Sequence, residues 1–246
     1  MRALLFRIAK IAAIIAATGV LLIAVTVLTI WGYFATKLPP VETVRTAETL
    51  CGHMATVSLD AVPRHIIDAI VTAEDPDFWS RRSIPSIRIL TMLISPASRD
   101  NMMRPSLGVR VAQEILWIDS KAHRTPSLEH HIRSLVQGDR VELFLPKDVI
   151  AEVYLNTAYF GQHACGLRQA AATYFAKAPE VLEPAESALL AAMIRSPSTY
   201  DPRRHAEKAL ERRNLILARM TEQGFLTAEE SESAQRTELG ILPPPE

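Results

Sequence analysis

The stretch Ile70–Trp79, IVTAEDPDFW, decides which fold and which chemistry this chain is expected to have. Apolar residues at helical spacing over 66–71 lead directly into Glu74 and Asp75. Because Pro76 disfavours a helical conformation for the residue before it, the pattern predicts a helix that ends at the two acids.

The aromatic residues Phe78 and Trp79 follow these acids at once. A carboxylate at a helix end beside aromatic rings can be partly desolvated, which raises its pKa toward values that suit proton transfer. The alternative is a solvated helix end with two ordinary surface acids. Local sequence alone favours this alternative, because perturbed acids also occur in structural networks.

Length and composition set the outer bounds. The chain has 246 residues, which allows one large domain or two small ones, and Lys+Arg and Asp+Glu are balanced at 27 each. The balance gives no sign of a nucleic-acid partner. Cys51 and Cys165 are too few and too distant for metal spacing; they could pair outside the cytoplasm, but two buried thiols are the expectation.

The N-terminus predicts one transmembrane helix. The 26 residues between Lys10 and Lys37 carry no charge, which is enough to cross a bilayer core. Arg2 and Arg7 precede the run, so the positive-inside rule places the N-terminus in the cytoplasm and the main domain outside it. A cleaved signal peptide is the alternative; because the run is long and no clean Ala-x-Ala site follows, an uncleaved anchor is expected.

The rest of the chain reads as mainly α-helical, with no alternating strand pattern and no internal repeat. Gly224 is expected to close one helix, and a Thr227–Glu230 capping box to open the last. Helices are predicted over 63–74, 84–94, 108–118, 128–144, 147–156, 167–175, 184–194 and 206–223, with a turn-rich loop at 95–105. The predicted organisation is a cytoplasmic tip and anchor (1–37), a connector (38–56), one domain (57–236) and a Pro-rich tail (237–246).

The second half of the chain carries a family resemblance. It contains LPKDVIAEVYLN at 145–156, YFG at 159–161, AESALLA at 185–191, SPS at 196–198 and RR at 212–213. This order and spacing resemble the peptidoglycan glycosyltransferase domain of glycosyltransferase family 51. That family includes monofunctional transglycosylases and the N-terminal halves of class A penicillin-binding proteins.

The resemblance implies a lysozyme-like helical lobe with a small jaw subdomain that dips into the bacterial plasma membrane. It implies an enzyme that joins lipid II, a lipid-linked disaccharide-peptide, to a nascent glycan strand of the cell wall. In the family a first glutamate deprotonates the acceptor hydroxyl, and a second glutamate and basic residues help the pyrophosphate to leave. No cofactor is certain; a divalent cation, Mg or Mn, at the pyrophosphate is the candidate.

Glu74, Asp75 and Phe78 match the first motif of the family, Glu-Asp-x-x-Phe, which makes Glu74 the expected catalytic base. The His and Gly that follow in the family are Arg81 and Ser83 here.

The second motif falls on 107–118, where Gly108 and Gln113 match. The departures are Val109-Arg110 for Ser-Thr, Glu114 for a second Gln, and Trp117-Ile118 for Lys-Asn. The third motif, Arg-Lys-x-x-Glu, falls on 130–134, so that Ser134 stands where the second glutamate is expected. Glu114 and Glu129 are the candidate surrogates for that carboxylate.

Basic residues near these motifs could contact a pyrophosphate, and Arg offers the bidentate geometry that suits it. The alternative is a solvated face of ordinary helix charges. Arg124 is favoured, because the family uses a basic residue in this segment, and Arg110 could offset the lysine lost at Trp117. The candidates are Arg110, Lys121, Arg124, His130, His131 and Arg133.

Three functions stay open on the sequence. The first is a membrane-anchored glycosyltransferase with Glu74 as general base and Asp75, Phe78, Arg110, Gln113, Arg124 and Arg133 as substrate-binding residues. The second is a catalytically silent family member that binds other cell-wall synthesis proteins. The third is a lysozyme-like hydrolase.

Overall fold

The computed structural model describes residues 2–41, 51, 56–82, 105–119 and 128–243. Two 3-10 turns, Leu59–Ala61 and Pro179–Val181, accompany the helices of these ranges. The helices are α1 (Arg2–Ala35), α2 (Arg64–Glu74), α3 (Leu107–Asp119), α4 (Leu128–Phe144), α5 (Lys147–Thr157), α6 (Leu167–Phe175), α7 (Pro184–Arg195), α8 (Ala206–Glu222) and α9 (Ala228–Arg236). The described parts contain a single isolated β-bridge, Tyr159 to Cys165, and no strand, so the mainly α prediction is confirmed.

Local signals in the sequence set the helix ends. Helix α2 stops at Glu74, as Pro76 predicts. Helix α8 is followed by Gly224 with φ +76°, the left-handed conformation that terminates helices. Thr227 and Glu230 form the expected capping box, with N–H to side-chain oxygen distances of 2.8 and 3.2 Å. The helix predicted over 84–94 and most of the loop at 95–105 lie outside the described residues.

Helix α2 is the buried centre of the domain. Every residue from Ile66 to Glu74 is buried, because α2 packs against α7 and α8. The Thr72 hydroxyl donates a hydrogen bond of 2.8 Å to the Gln223 side chain just after α8. Burial of each large apolar side chain here stabilises the fold by about 1.5–3 kcal/mol, so the position of Glu74 is firmly fixed by its own helix.

Two glycines allow α3 and α4 to cross closely. A Cβ added at Gly138 would lie 2.4 Å from Val109 Cγ2 and 2.7 Å from Val109 Cα. A Cβ at Gly108 would lie 2.4 Å from the Glu142 Cγ. The backbones therefore approach at a distance that leaves no room for a side chain at either position.

Helix α1 contains the predicted membrane anchor and packs against the helix pair α3 and α4. The segment Ala9–Ala35 has a mean hydropathy of 2.7 and is, by length and composition, long and apolar enough to cross a bilayer. Near its C-terminal end, α1 packs on α3 and α4 through an apolar cluster that includes Val27, Trp31, Leu116 and Val136. The connection is fixed at Pro39, whose carbonyl accepts hydrogen bonds from Gln137 and Arg140.

The two cysteines form a disulfide, with a Cα–Cα distance of 5.3 Å and a sequence separation of 114. The expectation of two buried thiols is wrong, because the fold brings the connector at Cys51 against the loop after α5 at Cys165. The bridge fixes one end of the described connector to the domain.

Asn156 holds a second part of the same connector. Its side-chain amide exchanges two hydrogen bonds with the backbone of Val57, each of 2.8 Å, and the Glu152 carboxylate accepts from the Leu59 N–H at 2.8 Å. Helix α5 thus sets where α2 begins. These contacts give Asn156 a structural role.

Replacement of both cysteines by alanine should lower the free energy of unfolding by about 2–4 kcal/mol, because the unfolded chain gains the freedom of a long open loop. Equilibrium unfolding of the detergent-solubilised protein measures this loss. Reductant should destabilise the unmodified chain and leave the Cys51→Ala, Cys165→Ala variant unchanged. Two titratable thiols in the unreduced protein would contradict the bridge.

Gly138→Ala should destabilise the protein by about 1–3 kcal/mol, because the new methyl group overpacks the crossing of α3 and α4. The melting temperature measures the effect. Gly19→Ala is the matched control: Gly19 is also helical, but no atom lies within 4 Å of its added Cβ. Equal stability of the two variants would disprove the close crossing.

Candidate active site

The centre of the site is the carboxylate of Glu74. It lies at the C-terminal end of α2, and only 1% of the residue is exposed. Arg110, in the first turns of α3, forms an ion pair with Glu74 Oε2, and the Arg110 side chain is 19% exposed. The structure therefore brings together the expected base and one of the predicted cations, both largely withdrawn from water.

Asp75 has a different role from its neighbour. Its two oxygens accept from the Arg81 guanidinium at 2.6 and 2.7 Å, a bidentate pair that raises the pKa of Arg81. Asp75 Oδ2 also accepts from the Leu107 N–H, the first of α3, at 3.0 Å. Asp75 thus caps α3 and places Arg110 one turn further on. A contact between Asp75 and substrate stays a prediction.

Arg81 also reaches α4. Its guanidinium lies 3.4 Å from Glu142 Oε1, whose side chain is only 7% exposed and faces Gly108. Arg81 therefore connects the loop after α2 to both α3 and α4. In the sequence Arg81 is only a departure from the first motif of the family, and no motif singles out Glu142.

Lys147, the first residue of α5, holds the loop after α2 through hydrogen bonds to its backbone. Its ammonium donates to the carbonyls of Trp79 and Arg81 at 2.7 and 2.8 Å and lies 5.7 Å from the ring centre of Phe78. Phe78 is 1% exposed and stacks edge-on against Trp79. The predicted contact between Phe78 and substrate stays a prediction. The block at 145–156 thus supports the loop that bears the acid.

A second basic group, Arg212 on α8, lies near enough to Glu74 for their charges to interact. Burial lowers the pKa of the Arg212 guanidinium, the charges of Arg219 and Arg195 lower it too, and the negative charge of Glu74 opposes them. The Arg212 Nε–H is buried without a hydrogen-bond partner among the described residues. In the sequence Arg212 is one of two adjacent arginines that carry the resemblance. The sequence does not show which of the two lies near the site.

The other arginine, Arg213, is structural. It is 1% exposed and donates to the carbonyls of Thr237 and Gln235 at 2.8 and 2.9 Å, at the C-terminal end of α9. Two adjacent arginines on α8 therefore have different surroundings. Only the folded chain shows that Arg213 is a core residue and that the charge of Arg212 interacts with Glu74.

The residues of the third motif lie on α4. Ser134 is buried, and its hydroxyl donates to the carbonyl of His130 in its own helix at 2.9 Å. Arg133 pairs with Glu129 at 3.7 Å along the helix surface, where the Glu129 side chain is 66% exposed. In the described structure Glu129 is thus part of a surface pair, and its role as a surrogate carboxylate stays a prediction.

Some predicted residues cannot be placed in full. Gln113 is half-buried on α3, one turn beyond Arg110. The segment with Lys121 and Arg124 and the side chain of Glu114 lie outside the described residues, as do Met92, Met102 and Met103, which the family places in the jaw. Within the described ranges no three His, Cys, Asp or Glu side chains cluster as metal ligands.

Comparison with known proteins finds similar chains among the penicillin-binding proteins. Penicillin-binding protein 1A of Aquifex aeolicus is 35% identical over 188 residues, which cover 75% of this chain and 25% of that protein. Penicillin-binding protein 1A of Escherichia coli is 29% identical over 182 residues, covering 74% and 21%. A crystal structure of penicillin-binding protein 1A from Haemophilus influenzae aligns with a TM-score of 0.44 and 21% identity, over 76% of this chain and 18% of that one.

The chain spans about a quarter of the length of these curated relatives. The family model described as Transglycosylase matches residues 45–221, which is well over half of the chain and contains α2 to α8 with Glu74 and Arg110. The chain belongs to the transglycosylase family, the glycosyltransferase family 51 of the sequence motifs.

Proposed function

We propose that this protein is a membrane-anchored peptidoglycan glycosyltransferase that polymerises lipid II, with Glu74 as its general base. The observation that carries the proposal is the buried Glu74 carboxylate at the end of α2, contacted by the Arg110 guanidinium. A carboxylate withdrawn from water and fixed on a rigid helix is suited to proton transfer. Its place in the first motif supports the same role.

The proposed reaction forms one glycosidic bond and breaks one bond to phosphate. The acceptor hydroxyl gives its proton to Glu74, its oxygen bonds to the anomeric carbon of the donor sugar, and the lipid pyrophosphate leaves with the electron pair of the broken bond. Charge develops on the departing pyrophosphate, and fixed cations lower the free energy of that transition state. Arg110 forms an ion pair with Glu74, and the charge of Arg212 also interacts with it, so both are candidates for this role.

The anchor supports a lipid-linked substrate. Helix α1 packs on α3 and α4, and Pro39 is hydrogen-bonded to Gln137 and Arg140, so the helix pair that carries Arg110 is held close to the bilayer. The N-terminus is proposed to face the cytoplasm and the domain to lie outside the plasma membrane. Lipid II and the nascent strand are the proposed partners, with other wall-synthesis proteins as further candidates.

One observation favours a second candidate, a silent family member that binds wall-synthesis partners. Ser134 supplies no carboxylate where the third motif has one, and its hydroxyl is engaged with its own helix. The ion pair between Glu74 and Arg110 also occupies the base in the absence of substrate. Binding without turnover is what this candidate predicts.

The full-length protein in detergent or liposomes should polymerise purified lipid II, and Glu74→Gln should reduce the rate by at least about 100-fold, because a general base contributes that much or more. Strand formation on gels measures it, with melting temperatures to establish folding. Glu232→Gln is the matched control, since Glu232 is an exposed helix glutamate paired with Arg236.

The outcomes separate the candidates. If the unmodified protein forms glycan strands and Glu74→Gln does not, the catalytically silent candidate is excluded. Tight lipid II binding with no strands under any condition excludes the enzyme. Release of fragments from finished peptidoglycan would favour a hydrolase. Chelation of divalent ions in the same assay tests whether Mg or Mn acts at the pyrophosphate.

Alkaline phosphatase fused after Pro40 should be active and a cytoplasmic fluorescent reporter at the same place dark, since the cationic residues before the span hold the N-terminus inside. Replacing Arg2, Arg7 and Lys10 by glutamate should reduce the phosphatase signal. The opposite pattern in the unmodified fusion would reject the proposed topology.

A further inference from the structure

The contact between Arg110 and Glu74 sets this chain apart from the second motif of its family. The motif has small hydroxyl residues where this chain has Val109 and Arg110. Serine or threonine at position 110 carries no charge and could not form an ion pair with the base. The pair is therefore a feature of this sequence, and the inference below rests on the proposed function.

The fold positions Arg110 firmly. Helix α3 begins at Leu107 under the cap of Asp75, and Gly108 lets it press against α4 beside Glu142. Arg110 follows within the first turn, with its side chain four-fifths buried. Its guanidinium thus meets Glu74 because the start of the helix is fixed.

This pair opposes catalysis as it stands. A neighbouring guanidinium favours the charged form of a carboxylate and makes it a weaker base. Once Glu74 takes a proton, the guanidinium of Arg110 is left as a buried charge without an anion, which is strongly unfavourable. A second anion that bound Arg110 in place of Glu74 would restore the basicity of Glu74 and would neutralise the buried guanidinium.

Arg110 has the capacity for such an anion. Its Nε–H is buried without a hydrogen-bond partner among the described residues. A guanidinium presents five N–H donors in a planar fork that matches phosphate oxygens. The substrate of the proposed reaction brings a pyrophosphate to the same site.

We propose that Arg110 is a positioning residue that exchanges partners: it holds Glu74 in the resting protein and moves to the substrate pyrophosphate, which leaves Glu74 free to act as base. Glu74 then becomes a strong base only when the leaving group is bound. A hydroxyl compound that binds without a pyrophosphate does not displace Arg110 from Glu74, so Glu74 does not become a strong base.

Other charges around the pair have different partners. Arg212 on α8 interacts with the charges of Glu74, Arg195 and Arg219, and its guanidinium lies 5.9 Å from the ring centre of Tyr200. Arg81 is held by Asp75 and Glu142.

Arg110→Ala tests the exchange through two pH profiles of lipid II polymerisation. The acidic limb of kcat/KM reports the free protein, and that of kcat reports the complex. In the unmodified protein the kcat limb should lie at higher pH than the kcat/KM limb, by about one unit or more. In Arg110→Ala the kcat/KM limb should rise to meet the kcat limb, and KM should increase about tenfold or more.

Two further variants sharpen the result. Arg110→Lys keeps the charge but loses the fork, so its kcat/KM limb should stay low while KM rises. Arg236→Ala removes an exposed arginine paired only with Glu232 and controls for net charge. Coinciding limbs in the unmodified protein, or limbs that Arg110→Ala leaves apart, would overturn the exchange even where Glu74→Gln abolishes activity.

A titration that needs no turnover keeps the two proposals separate. At acidic pH inorganic pyrophosphate should bind with uptake of a proton by Glu74, measured by calorimetry in buffers of different ionisation enthalpy. The uptake should fade as the pH rises to values at which Glu74 stays ionised in the complex and can act as base. The extra uptake should vanish in both Glu74→Gln and Arg110→Ala. Uptake that is the same in all three proteins would overturn the exchange, whereas absence of lipid II polymerisation alone would overturn only the proposed enzyme.

Discussion

The hydrogen bond from the Leu107 N–H to Asp75 is the constraint on which the site depends. It joins the end of α2 to the start of α3, and the bidentate pair with Arg81 holds the Asp75 carboxylate in its orientation. Without it the Leu107 N–H loses its carboxylate partner, and Ser106, whose hydroxyl accepts from the Val109 N–H at 3.3 Å, is the remaining cap of α3. An acid of the first motif thus acts as a structural hub for its neighbour.

The parts of the fold that sequence predicts well are those with local causes. Pro76 ends α2, Gly224 closes α8, and Thr227 with Glu230 opens α9. Each of these signals acts over a few residues, so the folded chain has little power to override it. The charge-free run that became α1 has the same local origin.

The parts that the sequence could not give are partnerships over long distances. No local signal near Cys51 predicts its disulfide with Cys165. No local signal in α3 predicts that Arg110 forms an ion pair with Glu74. The resemblance named Glu74 as the base because the motif is local, but which cation it meets depends on how α2, α3 and α8 pack. Arg212 was overlooked for the same reason: only packing separates it from Arg213.

The substitutions in the second motif redistribute charge along α3. A cation is lost at Trp117 and gained at Arg110, seven residues earlier on the same face, which is a shift of about 10 Å along the helix axis. That shift puts the cation in contact with Glu74. A positive charge remote from the base would stabilise the leaving group at all times, whereas one that touches the base must first let go of it. In the proposed exchange the anion therefore binds before the proton moves, because Arg110 contacts the base in the resting protein.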